Sequence, residues 1–216
     1  MSSAWQAFAD WGKNLKVELT PDKLDKFQKY HQLLLEWNRK MNLVSRQDVD
    51  RIISYHFIDS ISAITEIPDN SVVCDLGTGA GLPGIPIAIV RDDIKIYLVE
   101  SIKKKALFLS ETIKTLRLEN TVVLNQRAET IKDIKFDVIL IRLFGKIPDV
   151  LPLVSRLLSA RGKIIFYKIK GVEKEIEQAE KTAHKLHLQL SAIKDILLPT
   201  SEILRKLVIY RLIKKN

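Results

Sequence analysis

An acidic residue followed by a run of glycines, Asp75-Leu76-Gly77-Thr78-Gly79-Ala80-Gly81-Leu82-Pro83-Gly84, is the stretch whose residue types and spacing could hold a ligand. Ser71-Val72-Val73-Cys74 leads into it, and Ile85, Ile87, Ala88, Ile89 and Val90 follow, up to the charged Arg91-Asp92-Asp93. That order predicts a strand, a tight turn and a helix start, with backbone N–H groups and a helix N-terminus facing a bound molecule. Half of the chain's eight glycines fall in this one loop, although a glycine-rich turn without a ligand has the same composition. The spacing Gly77, Gly79, Gly81 departs from the G-x-G-x-x-G of dinucleotide sites. Pro83 and Pro86 also lack donors where a pyrophosphate would need them, which counts against a Rossmann oxidoreductase. An acid ahead of the loop suits a cofactor with a cationic or hydroxyl-rich end, and S-adenosylmethionine has that character. The next apolar segment, Lys95-Ile96-Tyr97-Leu98-Val99, ends in Glu100, a carboxylate placed to accept both hydroxyls of a ribose.

The elements that must position these residues are legible from periodicity. Strands are predicted at 71–75, 95–99, 121–125, 136–141 and 162–167, with helices around 84–91, 102–117, 148–159 and 171–186. Two last strands near 188–197 and 206–213 have no helix between them, so a parallel sheet ends in an antiparallel pair. This is an α/β arrangement, the Rossmann-like class I topology of S-adenosylmethionine-dependent methyltransferases, preceded by an N-terminal helical extension. Residues 1–70 form the extension in this reading, and residues 71–216 the cofactor-binding domain. In the extension, Thr20 as N-cap and Pro21 in the first turn start a helix over Asp22 to Arg39. A second helix is expected from about Gln47 to Ile64, with Ile52, Ile53, Tyr55, His56, Ile58, Ile61 and Ile64 inward. Pro68-Asp69-Asn70 is a turn at the junction.

Composition narrows the class. A chain of 216 residues with 46% hydrophobic residues and a mean hydropathy of +0.01 supports one core of ordinary size. Charge interrupts every apolar run before it could span a bilayer, and the N-terminus lacks a basic then apolar leader pattern. A cytoplasmic, monomeric protein without membrane contact is therefore expected. The single cysteine, Cys74, and four scattered histidines offer neither a disulfide framework nor a metal cluster. Residues 1–70 hold nine Lys/Arg and ten Asp/Glu, and the other 146 residues hold 26 and 16. The positive field thus belongs to the glycine-loop region, through Lys103-Lys104-Lys105, Arg117, Arg127, Arg142, Lys146, Lys163, Lys168, Lys170 and Lys214-Lys215. Such a field attracts a polyanion, nucleic acid above all, while a solvated lysine face is the plainer alternative.

Four blocks resemble, in order, the bacterial small-subunit ribosomal RNA guanine-N7 methyltransferases, once called glucose-inhibited division protein B. They are Leu35-Glu36-Trp37-Asn38-Arg39-Lys40-Met41-Asn42-Leu43, then His56-Phe57-Ile58-Asp59-Ser60, the loop from Asp75 to Pro86, and Gln126-Arg127-Ala128-Glu129. Arg142 followed by Lys168-Ile169-Lys170-Gly171 is a weaker fifth. The resemblance spans roughly residues 24–175. It implies methylation of N7 of a guanine in 16S ribosomal RNA, on naked RNA or a 30S assembly particle, with S-adenosylmethionine as cofactor. A methyltransferase of this fold acting on another RNA, or a non-catalytic RNA-binding or ribosome-assembly protein, are the alternatives.

On that resemblance Gly77, Leu82, Ala128, Glu129 and Arg142 are cofactor or active-site contacts, and Glu100 holds the ribose. Asp75 would order the loop and favour the methionine end of the cofactor. Gly77, Gly79 and Gly81 would let the backbone approach it, Leu82 would pack on it, and Ala128 with Glu129 would cover the adenine. Arg142 would stand beside the transferred methyl as the catalytic residue, unless it serves a surface salt bridge with Asp137 or Asp149. Lys168 and Lys170 would contact RNA phosphates. Asn38, Asn42, His56 and Asp59 would form a polar junction, with His56 structural rather than catalytic. No D/N-P-P-Y/F motif follows the fourth strand, where Arg142-Leu143-Phe144-Gly145 stands, and Cys74 is misplaced for a C5 nucleophile. Guanine N7 carries a free lone pair and needs neither. Leu143-Phe144 replaces a commonly small residue, which bears on the guanine pocket, and Glu100 replaces a more usual aspartate.

Overall fold

Apolar, β-branched segments that read as strands pair into one seven-stranded sheet of order β3-β2-β1-β4-β5-β7-β6 in a computed structural model that describes residues 3–199 and 203–213. The strands are β1 (Val72–Leu76), β2 (Lys95–Val99), β3 (Thr121–Leu124), β4 (Phe136–Arg142), β5 (Leu158–Lys168), β6 (Leu188–Leu197) and β7 (Leu204–Leu212). The first five run parallel, and β7 inserts antiparallel between β5 and β6. The helices are α1 (Ser3–Asn14), α2 (Pro21–Asn38), α3 (Ile58–Ile61), α4 (Gly84–Val90), α5 (Lys103–Thr115), α6 (Ile147–Val154) and α7 (Glu173–Lys185). The parallel sheet closing on an antiparallel strand is the expected class I α/β topology.

Because β1 pairs with β2 on one side and β4 on the other, the chain winds in opposite directions from this point. The loops after β1 and β4 therefore diverge and leave a crevice at the strands' carboxyl ends. Both faces of the sheet are covered, so Val73, Cys74 and Leu76 of β1 are buried together rather than alternately. One core layer joins α1, α2, α4 and α5 to the sheet through Phe8, Phe27, Tyr30, Phe57, Ile85 and Leu98. The other lies under α6 and α7 around Phe136, Ile139, Leu151 and Phe166. The N-terminal helices thus share the sheet's own core. Phe8 and Phe27 meet edge to face at 4.7 Å, and Tyr30 stacks on Phe57 at 5.4 Å.

Thr20 caps α2, its hydroxyl accepting from Lys23 N–H, with Pro21 at the first turn as expected. The expected helix over 47–64 is instead a 3-10 turn (Arg46–Arg51), a π-helical turn (Ile52–Phe57) and the short α3. Ser60 and Ser62 hydroxyls donate to the carbonyls of His56 and Asp59 and compete with the regular ladder. The wide turn carries His56 into the interior, close to Asp59 and Ser60. The helix expected over 148–159 also ends early, at Val154, two residues past Pro152, and Ser155–Leu157 follow as a 3-10 turn. β5 consequently begins at Leu158, opposite Phe136, before an irregularity in the β4–β5 register. Cys74 is buried in β1, where burial pushes its thiol well above the usual range. Lys214 and Lys215 lie outside the described residues. Among the described residues no helix is long and apolar enough to cross a membrane.

Candidate functional site

The turn after β1 is built around a buried carboxylate. Asp75 Oδ2 accepts from the Thr78 hydroxyl at 2.5 Å and from Gly84 N–H at 2.7 Å, tying the loop's start to the first residue of α4. Asp75 Oδ1 has no hydrogen-bond partner among the described residues. Burial pushes this carboxyl up to about 6, against the hydrogen bonds from Thr78 and Gly84 and the charge of Arg142. A Cβ at position 84 would lie 2.3 Å from Leu98 Cδ2 and 2.8 Å from Asp75 Oδ2, so the strand–helix approach requires glycine there. Gly77 holds φ at +66°, and a Cβ on it would meet the Phe144 ring at 2.1 Å. The loop is fastened from outside as well, since Tyr30 on α2 donates its hydroxyl to Ala80 O at 2.6 Å.

Glu100, at the tip of β2, joins the loop to the start of α5. Its Oε2 accepts from Gly79 N–H at 3.1 Å and its Oε1 from Ile102 N–H at 2.8 Å, leaving each oxygen further acceptor capacity. A cavity of about 350 Å³ opens here, lined by Gly77, Gly79, Glu100, Ile102, Ala128, Glu129 and Phe144. Ala128 is buried in a short turn and accepts from Arg156 Nη2 at 2.6 Å. Ile102, half exposed, supplies an apolar wall.

A second cavity, of about 280 Å³, shares Gly77, Gly79 and Lys105 with the first. Its walls are the loop residues to Leu82, the ends of β4 at Arg142 and Leu143, and the N-terminal residues Leu43, Ser45, Asp48 and His56. Leu82 therefore opens on the second cavity rather than the first, and Gly81 lies beneath Tyr30 and Ile85, lining neither. Leu143 is 88% exposed at φ +55°, an uncommon conformation for a leucine.

Arg142 does not pair with Asp137 or Asp149. Asp137 instead accepts from Val72 N–H and the Ser159 hydroxyl. The Arg142 partners come from the N-terminal segment: Nε donates to Asp59 Oδ2 at 2.8 Å and Nη2 to His56 Nδ1 at 2.7 Å. Asp59 is fully buried and also takes two bonds from Arg205 on β7, at 2.6 and 2.8 Å. Arg205 extends the network to Lys168 O and the Tyr55 hydroxyl. A guanidinium can only donate, so His56 Nδ1 is the acceptor and the imidazole proton sits on Nε2. Burial, then the charge of Arg142, lowers His56 to about 4 and keeps the ring neutral. Nε2 has no hydrogen-bond partner among the described residues and lies 3.9 Å from Asp48 Oδ2.

The other predicted positions divide. Asn38 Oδ1 accepts from the N–H groups of Leu43 and Val44 and shapes the loop that walls the second cavity, whereas Asn42 is exposed. The Lys168 ammonium binds Gly145 O and Glu175 Oε2, both at 2.8 Å, and so braces the loop after β4 against α7. Lys170 is exposed. Tyr30, Asp48, Lys105 and Arg205 are contributors that sequence reasoning gave no such role. Arg205 lies 146 positions from Asp59 and carries no local signal. Tyr30 reads as one of many apolar positions on α2.

Comparison with known proteins places this architecture. Residues 23–204 match the family model described as rRNA small subunit methyltransferase G. The chain is 35% identical over 211 residues to the ribosomal RNA small subunit methyltransferase G of Carboxydothermus hydrogenoformans, covering 94% of this chain and 88% of that one. It is 32% identical over 207 residues to the Bacillus subtilis protein of the same name, covering 93% and 87%. Among solved structures it is similar to M. jannaschii TYW2 in complex with AdoMet, with TM-score 0.60, 18% identity and coverage of 81% and 80%. A SAM-dependent methyltransferase from Aquifex aeolicus aligns with TM-score 0.58 at 13% identity, covering 79% of this chain and 100% of that one. At these identities the structural likenesses speak to the fold.

Proposed function

The chain belongs to the rRNA small subunit methyltransferase G family, and from that premise we propose that it methylates N7 of a guanine in small-subunit ribosomal RNA with S-adenosylmethionine. The observation that carries this reading is a pair of adjoining cavities sharing the Gly77–Gly79 wall, one holding Glu100 and the other Arg142. The first cavity suits the cofactor. Glu100 has acceptors for a ribose diol, Ile102 and Ala128 offer apolar faces for adenine, and the side-chain-free Gly77 and Gly79 permit close approach. Glu129 stands at the same rim, and Asp75 fixes the loop while adding a negative charge above pH 6. The second cavity, with Leu82, Arg142 and Leu143, takes the target base. Lys105 and Lys170 meet RNA phosphates in this reading, while Lys168 serves the site through the Gly145 loop. The reading sets the protein in the cytoplasm as a monomer acting on ribosomal RNA or an assembling small subunit.

Bound S-adenosylmethionine would supply a sulfonium methyl to the N7 lone pair, the S–CH3 bond breaking as the N–CH3 bond forms, so that the positive charge would pass to the guanine. No proton moves in that step, which agrees with a site whose histidine is neutral and whose arginine is paired with Asp59 and His56. The residues therefore act by holding the base and excluding water, effects worth about 7–11 kcal/mol when alignment is good. The test is transfer from labelled S-adenosylmethionine to small-subunit RNA from cells lacking this protein, with the product base identified by mass spectrometry. N7-methylguanine, lost with Glu100→Ala, is expected. Cofactor binding without methyl transfer to this RNA would overturn the substrate assignment.

A further inference from the structure

The second cavity has two walls of different origin. The glycine loop forms the wall shared with the first cavity, and Leu43, Ser45, Asp48 and His56 of the N-terminal segment form the other. A guanine whose N7 faces the shared wall turns its six-membered ring, with N1–H, the N2 amine and O6, toward the N-terminal wall. That wall presents a carboxylate and an imidazole side by side. Asp48 is held by the Ser45 hydroxyl, which donates to its Oδ2 at 2.6 Å and leaves acceptor capacity on both oxygens. His56 is 94% buried, takes Arg142 on Nδ1, and keeps an unpartnered Nε2–H 3.9 Å from Asp48 Oδ2.

We propose that Asp48 and His56 read the target base, Asp48 accepting from guanine N1–H and N2–H and the His56 Nε2–H donating to O6. The inference rests on the guanine-N7 reading given above and adds to it the residues that select guanine. Of the two purines of unmodified RNA, the pattern of an acceptor beside a donor matches guanine. Adenine offers an acceptor at N1 and a donor at N6, so each partner would face its own kind, and an unmade buried hydrogen bond is costly. The same carboxylate has a second consequence. As the methyl arrives, the guanine becomes cationic and its N1–H and N2–H bonds to Asp48 strengthen, so the interaction is larger in the transition state than in the ground state. The N-terminal segment then determines the substrate, while the sheet's loops bind the cofactor.

The experiment varies both partners, using the full chain and an RNA fragment carrying the target guanosine, or inosine in its place. Inosine keeps N7, N1–H and O6 and lacks only the N2 amine. With wild type, inosine should lower kcat/KM and weaken RNA binding, measured with S-adenosylhomocysteine present, by about 5- to 150-fold, the range of a good base contact. With Asp48→Asn, guanosine RNA should lose a comparable factor and the further penalty for inosine should largely vanish. S-adenosylmethionine binding should stay unchanged and certifies the fold. Equal handling of guanosine and inosine by wild type would overturn the proposal, as would a full inosine penalty persisting in Asp48→Asn. Failure of wild type to methylate the guanosine RNA at all is a separate result, which sinks the guanine-N7 reading and takes this proposal with it.

Discussion

Asp59→Asn is the substitution that most directly probes how the site is held together. The Asp59 carboxylate is 0% exposed, and it accepts three short bonds from two guanidiniums, those of Arg142 and Arg205, themselves 6% and 3% exposed. Asparagine keeps the shape but removes the charge, leaving two buried cations without an anion. Removing one partner from a buried ion pair costs about 3–5 kcal/mol, and two stranded cations place this case at the upper end. Against a total stability of about 5–15 kcal/mol, the loss is a third or more of what holds the protein folded. Urea unfolding followed by fluorescence is suited to the measurement, since Trp11 donates to Ile58 O next to Asp59. Adding Arg205→Met should return part of the loss, because it removes one stranded charge. A loss under about 1 kcal/mol for Asp59→Asn, or strict additivity with Arg205→Met, would refute the view that this triad is a dry, coupled network.

Tyr30→Phe removes the bond to Ala80 O and should cost about 1–3 kcal/mol in chemical denaturation, with weaker S-adenosylmethionine binding by calorimetry because the loop loses its outer fastening. Gly77→Ala demands a Cβ where the Phe144 ring lies, at a φ that favours glycine. It should weaken cofactor binding at least tenfold, while melting temperature changes by only a few degrees. Two pH effects oppose each other. His56, lowered to about 4, contributes stability above pH 6.5 that is lost as pH falls toward 4, whereas Asp75, raised to about 6, contributes stability below pH 3.8 that is lost as pH rises through 6. Each is on the order of 3 kcal/mol, so wild-type stability should be nearly flat between pH 4 and 6. His56→Gln should expose a steady fall with rising pH in that window, and an unchanged profile would show that the two terms do not balance.

What the sequence made legible follows from how local each signal is. The sheet, its antiparallel end and the glycine loop rest on short-range patterns, namely apolar strands, turn residues and a capped helix start, and these can be read position by position. The segment from Arg46 to Ile61 could not be read as it stands, because its apolar residues fit a regular helix. The segment is instead a 3-10 turn, a π-helical turn and a short α-helix that bury His56 and Asp59. The partners of Arg142 are not legible for a related reason. Asp137 and Asp149 are near in sequence, whereas Asp59 and Arg205 are brought to Arg142 only when the N-terminal segment packs over β4 and β7. Averaging charge over residues 1–70 also concealed Asp48, whose importance depends on one cavity wall and not on any run of like residues.

On the proposed reading, methyl transfer moves one positive charge from the first cavity to the second without moving a proton. A site for such a step needs no general base, and three buried groups beside it are committed elsewhere: Asp75 to the loop, Asp59 to two arginines, His56 to Arg142. What the step gains from is negative charge on the arrival side of the shared glycine wall, whereas negative charge on the departure side serves to bind the sulfonium cofactor. Without the former, the migrating charge would meet only Lys105 and Arg142 on arrival. Glu100 stands on the departure side and Asp48 on the arrival side. Neutralising Asp48 should therefore reduce the rate constant for transfer as well as the affinity for guanine. Neutralising Glu100 by Glu100→Gln should act mainly on cofactor affinity, because the sulfonium charge is leaving its side of the wall. Single-turnover rates at saturating cofactor separate the two. A transfer rate that falls as far with Glu100→Gln as with Asp48→Asn would contradict this division of roles.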